Sequence, residues 1–213
     1  MADRYDSIAE LLKAERRDID FCIRQRNRPS ATAVIAPHGG GIEPGTSEIA
    51  EAIAGAKYSF YAFEGIKANG NCVLHVTSVR FDEPECLALV AASERAVAIH
   101  GERGTDPIVH LGGRDDEAVE RLRIALERGG FRVGGDSRPD LQGLDPRNIC
   151  NRTLRGAGVQ FELSLGLRLT LFQSLARSGR QSKTARFAEF VAAVREGLDS
   201  LPGIEPGHHR PGG

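Results

Sequence analysis

Three short segments of this 213-residue chain put imidazole or carboxylate groups where chemistry is possible. The first is PHGGGIEPGTSE, in which His38 and Glu43 flank Gly39, Gly40 and Gly41 directly after an apolar run. Three glycines let a backbone turn sharply and approach a ligand closely. An imidazole and a carboxylate on one tight loop can converge on a metal ion such as zinc. The same loop also suits a plain glycine-rich turn or an anion nest feeding a helix N-terminus. A phosphate loop would want Gly-Lys-Ser/Thr, and the segment has no lysine. The second segment is AVAIHG, where His100 ends an apolar run and Gly101 follows. With His38 and Glu43 it would complete a His₂Glu set with an open fourth position, the pattern of catalytic zinc peptidases.

The third segment, NICNRTLRGAGVQFELS, is read in two halves. On an extended strand Val159, Phe161 and Leu163 point one way, and Gln160, Glu162 and Ser164 the other. Glu162 is then either a carboxylate facing a cavity or a surface glutamate on a wet sheet face. Asn151 and Arg152 precede the strand, with Arg155 and Arg168 nearby. Such a set could grip a carboxylate, the arginine through two parallel bonds; ordinary solvated arginines would read the same way. His75, in LHVTS, reads first as a core or supporting histidine and second as a substrate contact; His110 reads as structural, and His208 and His209 as inert. Cys150 reads as a buried thiol. No Gly-x-Ser-x-Gly elbow is present, which weakens a serine hydrolase reading.

The elements that must hold these groups follow from hydropathy. Apolar runs at 31–36, 58–63, 73–78, 95–101, 107–113, 131–134 and 159–164 read as strands. Helical spacing marks 6–17, about 47–55, 82–92, the stretch from Asp115 to Gly129, and 183–200. Alternating strands and helices imply an α/β domain with helices on both faces of a mainly parallel or mixed sheet. Sites in such folds gather at the carboxyl ends of strands, where these segments fall. The chain is expected to form one domain over 1–201, with a loose tail over 202–213.

Composition excludes more than it identifies. Net charge is −1, Trp is absent and aromatics are 6%, which argues against nucleic acid as a partner. No apolar run is long enough to span a membrane, and residues 1–30 lack a signal-like apolar core, so a cytoplasmic protein is expected. Four cysteines without CxxC spacing read as reduced thiols. Of 28 basic residues, 24 are arginine, and Arg147, Arg152, Arg155 and Arg168 lie close in sequence to the Glu162 strand. Glycine, at 25 residues, exceeds the usual share and belongs to turns and close backbone approaches.

The blocks APHGGGIEPGTSEIA, LHVTS, AVAIHG and NICNR followed by GVQFELS, in that order, resemble the poly-γ-glutamate hydrolase family, over about residues 30–195. The resemblance implies a metallocarboxypeptidase-like fold: α/β, with a central mixed, largely parallel sheet flanked by helices. It implies Zn²⁺ on His38, Glu43 and His100, and Glu162 as the catalytic carboxylate. It likens Asn151 and Arg152 to the carboxylate-anchoring pair of metallocarboxypeptidases; beside them, Arg155, Arg168 and His75 are candidate substrate contacts from their places in the sequence. One departure from the carboxypeptidase pattern is plain: four residues separate the first His from the Glu, not two. The implied substrate is an anionic γ-glutamyl polymer or a small carboxylated molecule. Two other readings stand beside it: a zinc hydrolase of another N-acyl amino acid or aminoacyl ester, and a non-enzymatic phage replication accessory protein.

Overall fold

The computed structural model describes residues 3–134 and 141–202; the tail expected from 202 lies, past that residue, outside the described residues. Among the described residues seven strands form one sheet: β1 (Phe21–Arg26), β2 (Thr32–Gly40), β3 (Ser59–Gly65), β4 (Arg95–Gly101), β5 (Ile108–Gly113), β6 (Arg132–Gly134) and β7 (Val159–Leu163). Their spatial order is β1-β3-β2-β4-β7-β5-β6. The central four, β3-β2-β4-β7, run parallel, while β1 is antiparallel to β3 and β5 is antiparallel to β7. The sheet is therefore mixed and largely parallel, as expected.

Among the described residues six α-helices pack around it: α1 (Ile8–Ala14), α2 (Thr46–Ala54), α3 (Pro84–Ala91), α4 (Asp116–Arg128), α5 (Leu165–Leu171) and α6 (Ala185–Asp199). Alternate residues of each strand serve opposite faces. Val97, Ile99, Phe161 and Leu163 join Ile53 of α2, Leu122 of α4 and Phe190 of α6 in one buried cluster. Ala33, Ile35, Ala96 and Ala98 face the other way, onto Ile8 of α1 and Val90 of α3. Strand side chains at 100, 160 and 162 share the face of Ala96 and Ala98, so the site belongs to the α1–α3 side.

Strand order reverses at β2. The chain passes from β2 through α2 to β3 on one side, then returns through α3 to β4 on the other. Neighbouring connections therefore leave in opposite directions, opening a crevice at the carboxyl ends of β2 and β4. His38 and His100 lie at those ends.

Three expectations fail locally. Residues 73–78 are not a strand: Asn71–Leu74 form a 3₁₀ turn and the chain then runs irregularly across the sheet edge. Their apolar side chains, Leu74 and Val76, fill the core without pairing. β1 was missed because FCIRQR carries two arginines and no full alternation, as suits an edge strand. α5 was missed because LGLRLTL continues the apolar run of β7; Ser164 separates them by capping the Leu167 amide.

Candidate metal and catalytic site

The glycine loop solves the spacing departure by folding back on itself. The Glu43 amide donates to the His38 carbonyl at 2.9 Å, and the Thr46 hydroxyl donates to the Glu43 carbonyl at 2.9 Å. These bonds bring the two side chains together despite four intervening residues. Gly40 has φ +65°, and a Cβ there would lie 2.5 Å from the Gly65 carbonyl oxygen. Only glycine permits that turn against β3.

At the loop, His38 Nδ1 lies 3.1 Å from His100 Nδ1 and 3.2 Å from Glu43 Oε1. Glu43 Oε2 is 3.7 Å from His100 Nδ1 and accepts from the Gly101 amide at 2.9 Å. The far nitrogen of each histidine is engaged outward. His38 Nε2 contacts the Val76 carbonyl at 2.8 Å, and His100 Nε2 contacts the Ser78 hydroxyl at 3.3 Å. A carbonyl can only accept, so His38 carries its proton on Nε2 and turns the Nδ1 lone pair toward Glu43 and His100. An imidazole tied outward through one nitrogen, with the other turned inward, is the arrangement of a metal-ligating histidine. The donor set, two imidazoles and a carboxylate, fits zinc.

Burial opposes ionisation of Glu43, but the His38 and His100 imidazoles packed against its oxygens favour the carboxylate and hold its carboxyl well below the usual range. His75 also faces the site: its ring lies 4.1 Å from that of His38, and Nε2 is 3.7 Å from Glu43 Oε1. Burial and the nearby His38 lower its pKa.

Glu162 sits across from His100 in the parallel β4–β7 register, so their side chains share one sheet face. It is 7% exposed, which decides against a wet-face glutamate. The Gln160 amide, on the same face, donates to Glu162 Oε1 at 3.0 Å and is itself fixed by Asn148 and the Leu141 carbonyl.

The expected carboxylate-gripping set is used differently. The buried Asn151 amide donates to the Gly143 and Asp145 carbonyls, and its oxygen accepts from the Arg114 and Gly158 amides. Gly158 precedes β7, roughly 13 Å along the strand from Glu162 at ~3.3 Å per residue. Arg155 lies at that same far end, pairing with Asp115 at 3.1 Å beside the buried Arg95. Arg152 follows Asn151 on the exposed loop. Asn151 and Arg155 therefore hold the amino end of β7 rather than its carboxyl end. Sequence proximity misled because a five-residue strand separates its two ends. Arg168 does reach the site's rear wall, behind Gly101, where a Cβ would meet its Cζ at 2.7 Å. Its donors go to the carbonyls of Leu163, Pro44 and Glu102, so it braces the loops instead of presenting a fork.

Sequence reasoning missed Asp3, Ser78 and Gln160. Gln160 was legible in principle, being two residues before Glu162 on a strand. Asp3 gave no signal: its 72-residue separation from His75 is closed only by the fold.

A mixed α/β sheet with a His₂Glu donor set and an adjacent buried carboxylate at its carboxyl edge has the build of a metal-site hydrolase. Comparison with known proteins gives the family. Residues 5–193 match the model of the poly-gamma-glutamate hydrolase family, and the chain belongs to that family, a family of hydrolases. Among Bacillus subtilis (strain 168) relatives, UPF0714 protein YndL is 36% identical, covering 90% of this chain and 76% of its own. The SPbeta prophage-derived UPF0714 protein YoqZ is 32% identical, covering 96% and 76%. A bacteriophage poly-gamma-glutamate hydrolase superposes with TM-score 0.89 at 31% identity, over 93% of this chain and 97% of its own. A zinc-free apo form of YndL gives 0.88 at 35% identity, over 93% and 98%.

Proposed function

We propose that this chain is a zinc-dependent amidohydrolase that cleaves γ-glutamyl amide bonds of an anionic γ-linked glutamyl polymer. The observation that carries the reading is the meeting of His38 Nδ1, His100 Nδ1 and the Glu43 carboxylate, with Glu162 in register beside His100. Family membership supports the polymer, and the zinc-free description of the YndL structure supports the metal.

His38, Glu43 and His100 would hold the ion. When bound, zinc supplies a Lewis acid for the amide carbonyl and lowers the pKa of a coordinated water. Glu162 takes the proton from the attacking water and passes it to the leaving amine. Gln160 fixes the Glu162 carboxylate by donating to Oε1. Val76 and Ser78 hold the two imidazoles in the orientation that presents Nδ1. In a γ-linked polymer every unit keeps its α-carboxylate, so cationic groups at the mouth would read successive units.

The test combines metal analysis with a polymer-length assay. Purified protein should carry about one zinc, shorten γ-linked polyglutamate, and stop doing so with a chelator. Glu162→Gln should keep the metal and lose roughly 10²–10⁴ in turnover. His38→Ala should lose the metal. A polymer of unchanged length, alongside cleavage of N-acyl amino acids or aminoacyl esters, would replace the substrate assignment.

A further inference from the structure

The sequence reads His75 first as a core or supporting histidine and second as a substrate contact; its surroundings are those of a metal ligand. Its Nδ1 lies 2.6 Å from Asp3 Oδ1, and a carboxylate can only accept, so Nδ1 carries the proton. The Nε2 lone pair is thereby turned inward, 3.7 Å from Glu43 Oε1. His38, Glu43 and His75 each place one ligand atom within 4.8 Å of the others. Asp3 is not a casual partner. Its side chain is 6% exposed, and Oδ2 accepts from the Thr77 amide at 2.7 Å and from Arg80 at 3.0 Å. The carboxylate thus ties the N-terminal segment to His75 and to the two residues Thr77 and Arg80 that follow it.

We infer that His75 is a further donor of the metal centre, and that Asp3 is the residue that positions it. Metal-ligating histidines almost always donate their other N–H to a carboxylate, carbonyl or water, and this pair has that geometry. Zinc–ligand bonds of about 2.0–2.1 Å put neighbouring tetrahedral donors roughly 3.3 Å apart. The separations of 3.1 and 3.2 Å around His38, and of 3.7 Å from Glu43 to His75, straddle that value. Zinc can also become five-coordinate, so a donor at His75 does not close the centre to substrate. The N-terminal segment, through Asp3, becomes part of the site although it lies next to no other ligand in sequence.

This inference rests on the metal reading above, and the experiment separates their failures. Metal-free protein is titrated with zinc against a competing chelator, and the cobalt-substituted protein is followed by visible absorption. His75→Ala should weaken metal binding and change the cobalt spectrum, and added imidazole should restore the spectrum. Asp3→Asn, which keeps size and one acceptor, should weaken zinc binding by about ten- to a hundred-fold. Thermal unfolding of the metal-free variants checks that the fold persists; His75→Gln serves if His75→Ala does not fold. Parental affinity and spectrum in the His75 variants, with only KM raised, would overturn the inference and return His75 to substrate contact. No metal binding by the parent would overturn the zinc reading itself.

Discussion

Arg168 stands beside the candidate site with its donors turned to backbone carbonyls. It is 4% exposed, and burial lowers its pKa even with Glu43, Glu102 and Glu162 nearby. Three carbonyls from three segments take its donors. Removing one partner of a buried hydrogen bond costs about 1–3 kcal/mol per group left unsatisfied. Arg168→Met is therefore expected to lower stability by at least ~2 kcal/mol in urea unfolding, and to lower kcat through displacement of the His38–Glu43 loop. Intact stability with a raised KM would instead make Arg168 a substrate contact. Cys150, beside Asn151, is 0% exposed and its thiol is pushed up to about 12 by burial, so it stays a packed thiol rather than a nucleophile.

At the scale of elements, strands set the site and loops finish it. Gly40 lets β2 end in a turn against Gly65, and both its positive φ and the 2.5 Å approach forbid a side chain. Gly40→Ala should cost roughly 1–3 kcal/mol and weaken metal binding, since His38 and Glu43 sit on either side of it. Differential unfolding with and without zinc would read both effects. β1 is an edge strand fixed by charge: Arg24 and Arg26 reach Glu51 of α2 at 2.5 and 2.6 Å. Although burial opposes it, these arginines depress the Glu51 pKa. A depressed carboxylate contributes stability above its ordinary 4.5 and loses it as pH falls through the folded value. The pair is half-exposed, so the Glu51→Gln variant should differ from the parent by less than ~1 kcal/mol at pH 7. The difference should vanish on acidification. Most of these elements were legible, because β2, β4, β7, α2 and α4 each combine a clear apolar period with a cap or glycine stop. β1 and the 73–78 segment were not, because an edge strand tolerates arginine and a core-filling irregular segment mimics a strand's hydropathy.

Across the whole molecule, two apolar clusters flank the sheet and depend on no metal. The donor set, by contrast, brings two imidazoles and a carboxylate together from β2, β4 and the glycine loop. An ion bound only by the folded state adds about 2.7 kcal/mol at a hundred times its dissociation constant. For a domain of this size that is roughly 5–10 °C in Tm. Chelation should lower Tm by this amount while leaving far-ultraviolet circular dichroism unchanged. An unaltered Tm would argue against a tight site. Among the described residues no helix is long and apolar enough to cross a membrane.

What the sequence determined by itself was local: which segments pair or coil, and that His38, Glu43, His100 and Glu162 fall at strand ends. Periodicity and glycine placement encode those facts within a few residues of each group. Tertiary structure decided which end of a strand a neighbouring loop occupies, and so assigned Asn151 and Arg155 to the far end of β7. It also brought Asp3 to His75 and tied Arg168 to three carbonyls. Those contacts join residues up to 124 positions apart. No local pattern records them, because sheet order and the packing of α1 and α3, rather than propensity, set the distance between such groups.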